Sequence, residues 1–255
     1  MSEPPSLPQP DPVMSQSAPP QEMSQGTRQV EVIVMASLFV VLAVLFRAFP
    51  EIDLTVAQWF YQEEGGGFYS PRNWWLALPY YGMPRVAQAA GLFFFLRWLG
   101  AFWFSPWKAR QRWYGFLLLA LLVGPHLIVG IGLKEQVGRA RPANITEFGG
   151  GQTFTPAFVI SDQCQRNCAF VSAHVASASF VMAFGWFAGG LVRRRWLWGG
   201  VLGAGLLGLA RMAQGGHFLS DVVFAYFCVY AGCWVTEWVF RQLGWLPENL
   251  TPGRS

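Results

Sequence analysis

The chain returns again and again to apolar stretches about as long as a bilayer is thick. Tyr114–Leu133 is the clearest, with no Asp, Glu, Lys or Arg. About 20 such residues in a helix cross the ~30 Å hydrocarbon core. Inside lipid, only a structure that closes its own backbone hydrogen bonds survives. Comparable runs lie at about Val30–Phe49 (centred on Val32–Phe46), Val86–Phe104, His174–Val192, Trp196–Met212 and His217–Phe240. The expectation is an all-α polytopic membrane protein with six transmembrane helices. Composition agrees: 53% of residues are hydrophobic and 13% charged, against roughly 25% charged in soluble proteins. A net charge of only +4 gives no electrostatic case for nucleic acid.

Three regions follow. Residues 1–28, with seven of the 17 prolines, cannot bury enough apolar surface to fold and read as a disordered cytoplasmic tail. Residues 29–242 form the membrane domain, and 243–255 a second cytoplasmic tail. Residues 50–84, rich in Pro, Gly and aromatics, read as an interfacial loop. Arg97, inside the second run, should snorkel or face the bundle. An even number of crossings puts both termini on one side. Arg28, Lys108/Arg110/Arg112, Arg193–Arg195 and Arg241 fall on that side, which the positive-inside rule makes cytoplasmic. The loops 50–84 and 134–170 and the 213–217 turn then face the opposite, periplasmic-type compartment.

That opposite face gathers ionisable residues, which are costly at a membrane edge and therefore functional candidates. Lys134 is followed six residues on by Arg141-Pro142. Ser172-Ala173-His174 opens the fourth span. Arg211 is followed after five residues by His217, and then by Asp221. Three cations, Lys134, Arg141 and Arg211, can hold the oxygens of one phosphate, and the arginine fork suits bidentate contact. Backbone N–H groups of Ser172, Ala173 and His174 at a helix start make an anion site. Such fixed donors stabilise charge developing in phosphoryl transfer. His217 and Asp221, at i and i+4, share a helix face. The carboxylate can take Nδ1–H and leave Nε2 as a free lone pair. His174, on another helix, suits a general acid that then activates water. No metal or other cofactor is expected, since cations stand where a metal site needs clustered carboxylates. Vanadate should inhibit.

These spaced segments resemble the signature of the type 2 phosphatidic-acid phosphatase (PAP2) family: Lys-x6-Arg-Pro, Pro-Ser-Gly-His and Ser-Arg-x5-His-x3-Asp. The resemblance implies a phosphohistidine on His217 and acid/base work by His174. It implies phosphate binding by Lys134, Arg141, Ser172, Ala173 and Arg211, without metal. The chain departs at Val171, Ala173 and Ala210, where the family has Pro, Gly and Ser. None of these removes a charged or proton-transferring group. The stretches Phe154–Cys164, Asn167–Ser172, Gly208–Met212, Gln214–Phe218 and Ser220–Phe224 resemble a narrower branch, the lipid A 4′-phosphatases. This implies a phosphatase of the outer leaflet of a Gram-negative inner membrane that removes the 4′-phosphate from lipid A, the expected partner being lipid A or another phospholipid in the membrane. Phosphatases of lipid A 1-phosphate, phosphatidylglycerophosphate or undecaprenyl pyrophosphate, and a lipid phosphotransferase, are same-chemistry alternatives. A non-catalytic membrane binding or transport protein is the alternative of a different class.

Other residues have plainer readings. Arg139 reads as an interfacial anchor, and His126, beside Pro125, as a core histidine. Cys164 and Cys168, in an oxidising compartment, are a candidate disulfide bracing the segment before His174. Cys228 and Cys233 read as small apolar packers.

Overall fold

The computed structural model describes residues 25–70 and 73–246. Most of the two expected tails lies outside them. Helix α1 (Gln25–Ala48) begins before the expected boundary. Arg28, assigned to the tail, instead pairs with Glu31 and Glu237.

The described residues are helical, without strands apart from two isolated bridges. After α1 come α2 (Glu51–Gln58) and α3 (Trp74–Ala77), which runs through a wide turn at Leu78–Gly82 into α4 (Met83–Gly100). The short α5 (Ser105–Lys108) leads to α6 (Gln111–Leu121), which continues to Lys134 with i→i+5 hydrogen bonding. Then follow α7 (Ala173–Ser179), extended by a 3₁₀ stretch to Gly185, α8 (Gly190–Ala213) and α9 (Leu219–Gln242). Among the described residues, four helices are long and apolar enough to cross a membrane: Gly26–Ala48, Gln111–Lys134, Gly190–Ala213 and Leu219–Gln242. The fourth expected run is instead a shorter apolar helix, Ala173–Gly185. The second corresponds to α4, interrupted by Arg85 and Arg97.

Residues 50–84 are not the simple interfacial loop expected. Pro50 caps α2, and Glu51 and Asp53 occupy its first turn, where carboxylates complement the helix dipole. Asp53 is fully buried. His126, expected in the core, is exposed. Bonding to i+5 widens each turn, so the facing of this segment departs from the 3.6-residue period.

Helix α9 is the hub, packing against α1, α2, α6 and its extension, α7 and α8. It touches the extension of α6 closely because two glycines meet. A Cβ on Gly232 would lie 2.4 Å from the Gly124 Cα. Small residues of this kind let helices approach in lipid. Phe39, Phe158, Phe170 and Phe224 pack edge to face beside it.

One end of the bundle is clamped by ion pairs. Arg193 holds both oxygens of Glu31 at 2.6 Å, and Arg241 pairs with Glu237 at 2.6 Å. Arg193, the first of the three consecutive arginines, is thus buried, while Arg194 and Arg195 are exposed. Arg97 does face the bundle, its guanidinium 4.0 Å from the Trp107 ring.

Candidate active site

The other end collects the polar residues singled out by spacing. Each stands where a helix begins or ends. Lys134 ends the α6 extension, Arg211 lies in the last turn of α8, Ser172 caps α7, and His217 sits in the turn before α9.

Three consecutive carbonyls form a ledge that holds three of them. Arg141 donates to the Asn167 carbonyl through Nη2 at 2.7 Å and Nε at 3.2 Å. Lys134 Nζ donates to Cys168 at 2.7 Å. His217 Nδ1 lies 2.8 Å from the Ala169 carbonyl, so Nδ1 carries the proton and Nε2 the lone pair. A disulfide joins Cys164 to Cys168, with Cα atoms 5.6 Å apart, and so anchors the ledge. The Ala169 N–H donates to the Arg139 carbonyl at 2.9 Å, tying the ledge to the segment that carries Arg141.

The orientation of His217 differs in origin from the sequence expectation. Asp221 Oδ2 is 3.7 Å from Nδ1, beyond hydrogen-bond range. The backbone carbonyl fixes the tautomer instead. Asp221 accepts from the Phe218 N–H at 2.8 Å and from Arg139 Nη1 at 2.7 Å.

Arg139 is therefore not an interfacial anchor. It is fully buried and spans Asp221, Asp53 (Nη2, 2.8 Å), the Ser220 hydroxyl (2.8 Å) and the Thr155 carbonyl (2.8 Å). Burial alone would lower its pKa, but the neighbouring carboxylates of Asp221 and Asp53 outweigh this and hold the guanidinium charged. Asp53 also accepts from the Ser220 N–H at 2.9 Å. Sequence reasoning passed over Asp53. Asp53 shares its helical turn with a second carboxylate, Glu51, and nothing in the sequence told which of the two would be buried.

His174 Nε2 donates to the Tyr80 carbonyl at 3.0 Å and stacks on that ring, centroids 5.5 Å apart. Its Nδ1 is left with the lone pair. The Tyr80 ring also lies 4.8 Å from the Arg211 guanidinium. Arg211 bonds Gln214, and its Nε is buried without a hydrogen-bond partner. Gly216 leaves room for this guanidinium, since a Cβ there would come within 2.5 Å of Arg211 Nη2.

Of the three amides expected to face an anion, that of Ser172 is spent on the Asp221 carbonyl at 3.1 Å. Ser172 Oγ accepts from Val175 N–H at 3.5 Å, a loose cap. Ala173 and His174 then supply the first amides of α7.

The whole group converges electrostatically on His217. Burial, then the charges of Lys134, Arg211 and Arg141, hold its imidazole well below the ordinary pKa of 6.5. A neutral imidazole ringed by cations can attack an electrophile that carries negative charge. Among the described residues, no three His, Cys, Asp or Glu side chains are grouped to hold a metal.

The PAP2 superfamily profile matches residues 113–245. The chain is 33% identical over 196 residues to a lipid A 4′-phosphatase of Francisella tularensis subsp. novicida, covering 75% of this chain and 87% of that protein. It is 33% identical over 201 residues to a lipid A 4′-phosphatase of Rhizobium etli, covering 71% and 76%. A lipid A 4′-phosphatase of Rhizobium leguminosarum is 30% identical over 203 residues, covering 71% and 84%. No solved structure matches the chain.

Proposed function

The chain belongs to the PAP2 superfamily and is a membrane phosphoric monoester hydrolase acting on lipids, and from that premise we propose that it removes the 4′-phosphate of lipid A. The observation that carries the mechanism is the ledge 167–169, which holds Arg141, Lys134 and His217 on successive carbonyls. The buried, unpaired Nε of Arg211 supports an anion at the same place. An unsatisfied buried donor costs about 1–3 kcal/mol, and a phosphate oxygen would satisfy it. The substrate follows the three relatives, each a lipid A 4′-phosphatase.

In this reading the phosphate sits among Lys134, Arg141, Arg211 and the amides at the start of α7. His217 Nε2 attacks phosphorus as the bond to the sugar oxygen breaks. His174 gives that oxygen a proton from Nδ1, which it gains as the substrate dianion binds. Water then attacks the phosphohistidine and passes its proton to His174, releasing inorganic phosphate. Asp221, Arg139 and Asp53 hold the start of α9 in place behind the nucleophile.

The topology proposed is six crossings of a bacterial inner membrane, with 29–242 as one domain. Contacts at the two bundle ends support it. The stretch from Ser172, bonded to Asp221, to Trp186, bonded to Arg193 and Glu237, runs from the site to the clamped end. The α3–α4 segment likewise runs from Tyr80 to Trp98, whose carbonyl accepts from Gln111 at the start of α6. Exposed Arg110, Arg194 and Arg195 at the clamped end favour a cytoplasmic location for that end and both termini. The site then faces the periplasm.

The test is purified protein with lipid A bearing both phosphates, read by mass spectrometry and phosphate release. Loss of the 4′-phosphate alone is expected, blocked by vanadate and unaffected by EDTA. Loss of only the 1-phosphate, or release from phosphatidylglycerophosphate but not lipid A, would move the protein to another substrate. Transfer of phosphate to a second lipid without free phosphate would make it a transferase.

A further inference from the structure

Each of the two site histidines is held by a backbone carbonyl, His217 Nδ1 by Ala169 at 2.8 Å and His174 Nε2 by Tyr80 at 3.0 Å. The two carbonyls come from different parts of the chain. Ala169 lies inside the stretch matched by the PAP2 profile, whereas Tyr80 lies well before its first residue, 113. The group that holds His174 therefore comes from outside the matched domain and from none of the three spaced motifs.

The sequence accounts for the free carbonyl. In an α-helix the Tyr80 oxygen would accept from the N–H of residue 84, but Pro84 has none. The chain passes this point in the wide turn Leu78–Gly82, between α3 and α4. Wide turns within helices are frequent at functional sites. The side chain is aimed at the site as well. The phenol ring lies at 19° to the His174 imidazole, centroids 5.5 Å apart, and 4.8 Å from the Arg211 guanidinium. Two contacts fasten the preceding residues to the end of α8 that carries Arg211. The Tyr69 N–H donates to the Ala213 carbonyl at 3.0 Å, and Gln214 Nε2 donates to the Leu76 carbonyl at 3.3 Å.

We infer that Tyr80 is a positioning residue for the general acid His174, an inference that rests on the lipid phosphatase reading. Its carbonyl takes the Nε2 proton, which leaves Nδ1 as the atom that gains and gives one. Its ring packs on the imidazole, limits rotation and faces the positive charge that forms when Nδ1 is protonated. The same ring braces Arg211, so the acid and one phosphate-binding cation share a support. A general acid must stand within hydrogen-bond reach of the oxygen it protonates. A misplacement of about 1 Å can cost on the order of 10²-fold in rate.

The experiment separates the acid from the phosphate pocket by changing the leaving group. Lipid A bearing the 4′-phosphate loses a sugar alkoxide, which needs a proton. The aryl ester p-nitrophenyl phosphate loses a stabilised phenolate, which does not. kcat/KM is read on both, because the leaving group departs before water attacks. Tyr80→Leu removes the ring and keeps the backbone carbonyl. Its loss on lipid A should be about 10–100-fold, exceeding its loss on the aryl ester by about tenfold or more. Retained turnover of the aryl ester shows that the variant is folded. Tyr80→Phe keeps the ring and should restore most of the activity on lipid A. A wild-type rate for Tyr80→Leu on lipid A would overturn the inference. Equal losses on both substrates would also overturn it, since the ring would then serve the phosphate pocket alone. So would a Tyr80→Phe loss as large as that of Tyr80→Leu, which would make the hydroxyl the acting group. Wild-type protein that releases phosphate from neither substrate would instead sink the phosphatase reading itself.

Discussion

Arg139 and Asp221 form a fully buried ion pair, Nη1 to Oδ1 at 2.7 Å, and the same guanidinium holds Asp53 of α2 at 2.8 Å. The pair sits one residue layer behind His217 and ties α2, the 139–141 segment and α9 together. Removing the arginine strands two carboxylates without a counter-charge. Arg139→Met should therefore cost about 3–5 kcal/mol of stability and most of the activity. Arg139→Lys should not rescue, because an ammonium lacks the planar fork that spans both carboxylates. Thermal unfolding in detergent reads the first effect. An Arg139→Met protein as stable as wild type would refute this account.

Asp221 and His217 should separate in size of effect. His217→Ala is expected to lower turnover by about 10⁴-fold or more, as loss of a nucleophile does, while leaving the protein folded. The Ala169 carbonyl, not Asp221, fixes the imidazole tautomer. Asp221→Asn should then keep the productive tautomer and cost on the order of 10–100-fold, as loss of a supporting partner does. Equal losses in the two variants would show that Asp221 acts on the imidazole directly.

The disulfide supports the ledge rather than the bundle. Cys164→Ser should loosen carbonyls 167–169 and with them Lys134, Arg141 and His217. Activity should fall roughly 10–100-fold, with the helical circular dichroism unchanged. Full activity in the variant would mean that the ledge is held by its other contacts.

His217 should stay neutral over the range in which free histidine titrates. Its folded pKa lies well below 6.5, because burial and the nearby cations oppose a further positive charge. The unfolded chain takes up this proton near pH 6.5 and the folded chain does not, so folding stability falls as pH drops below about 6.5. The chain has three histidines, so ¹⁵N NMR with single His→Ala variants can assign each imidazole. A His217 resonance titrating near 6.5 would contradict the electrostatic picture.

Orientation is accessible to an impermeant thiol reagent. Ala109, Arg194 and Glu147 are all exposed. In a background without native cysteines, Cys at 109 or 194 should resist labelling in intact cells, and Cys at 147 should react. The reverse pattern would place the site in the cytoplasm and exclude an outer-leaflet substrate.

The apolar runs determined by themselves that this is a helical membrane protein, because a continuous apolar run of about 20 residues spans lipid as a helix that closes its own backbone hydrogen bonds. The spacing of Lys134, Arg141, His174, Arg211, His217 and Asp221 singled out candidates that the fold brings to one end of the bundle, because most of them lie at or beside a helix end. Which groups hold them was decided only by tertiary structure. The Ala169 carbonyl reaches His217 across 48 residues and Asp53 reaches Arg139 across 86. Contacts so distant in sequence leave no periodic trace. Backbone carbonyls leave none of any kind, since every residue has one. The facing of His126 was equally hidden, because a change from i+4 to i+5 bonding alters which side chains point inward without altering the residues themselves.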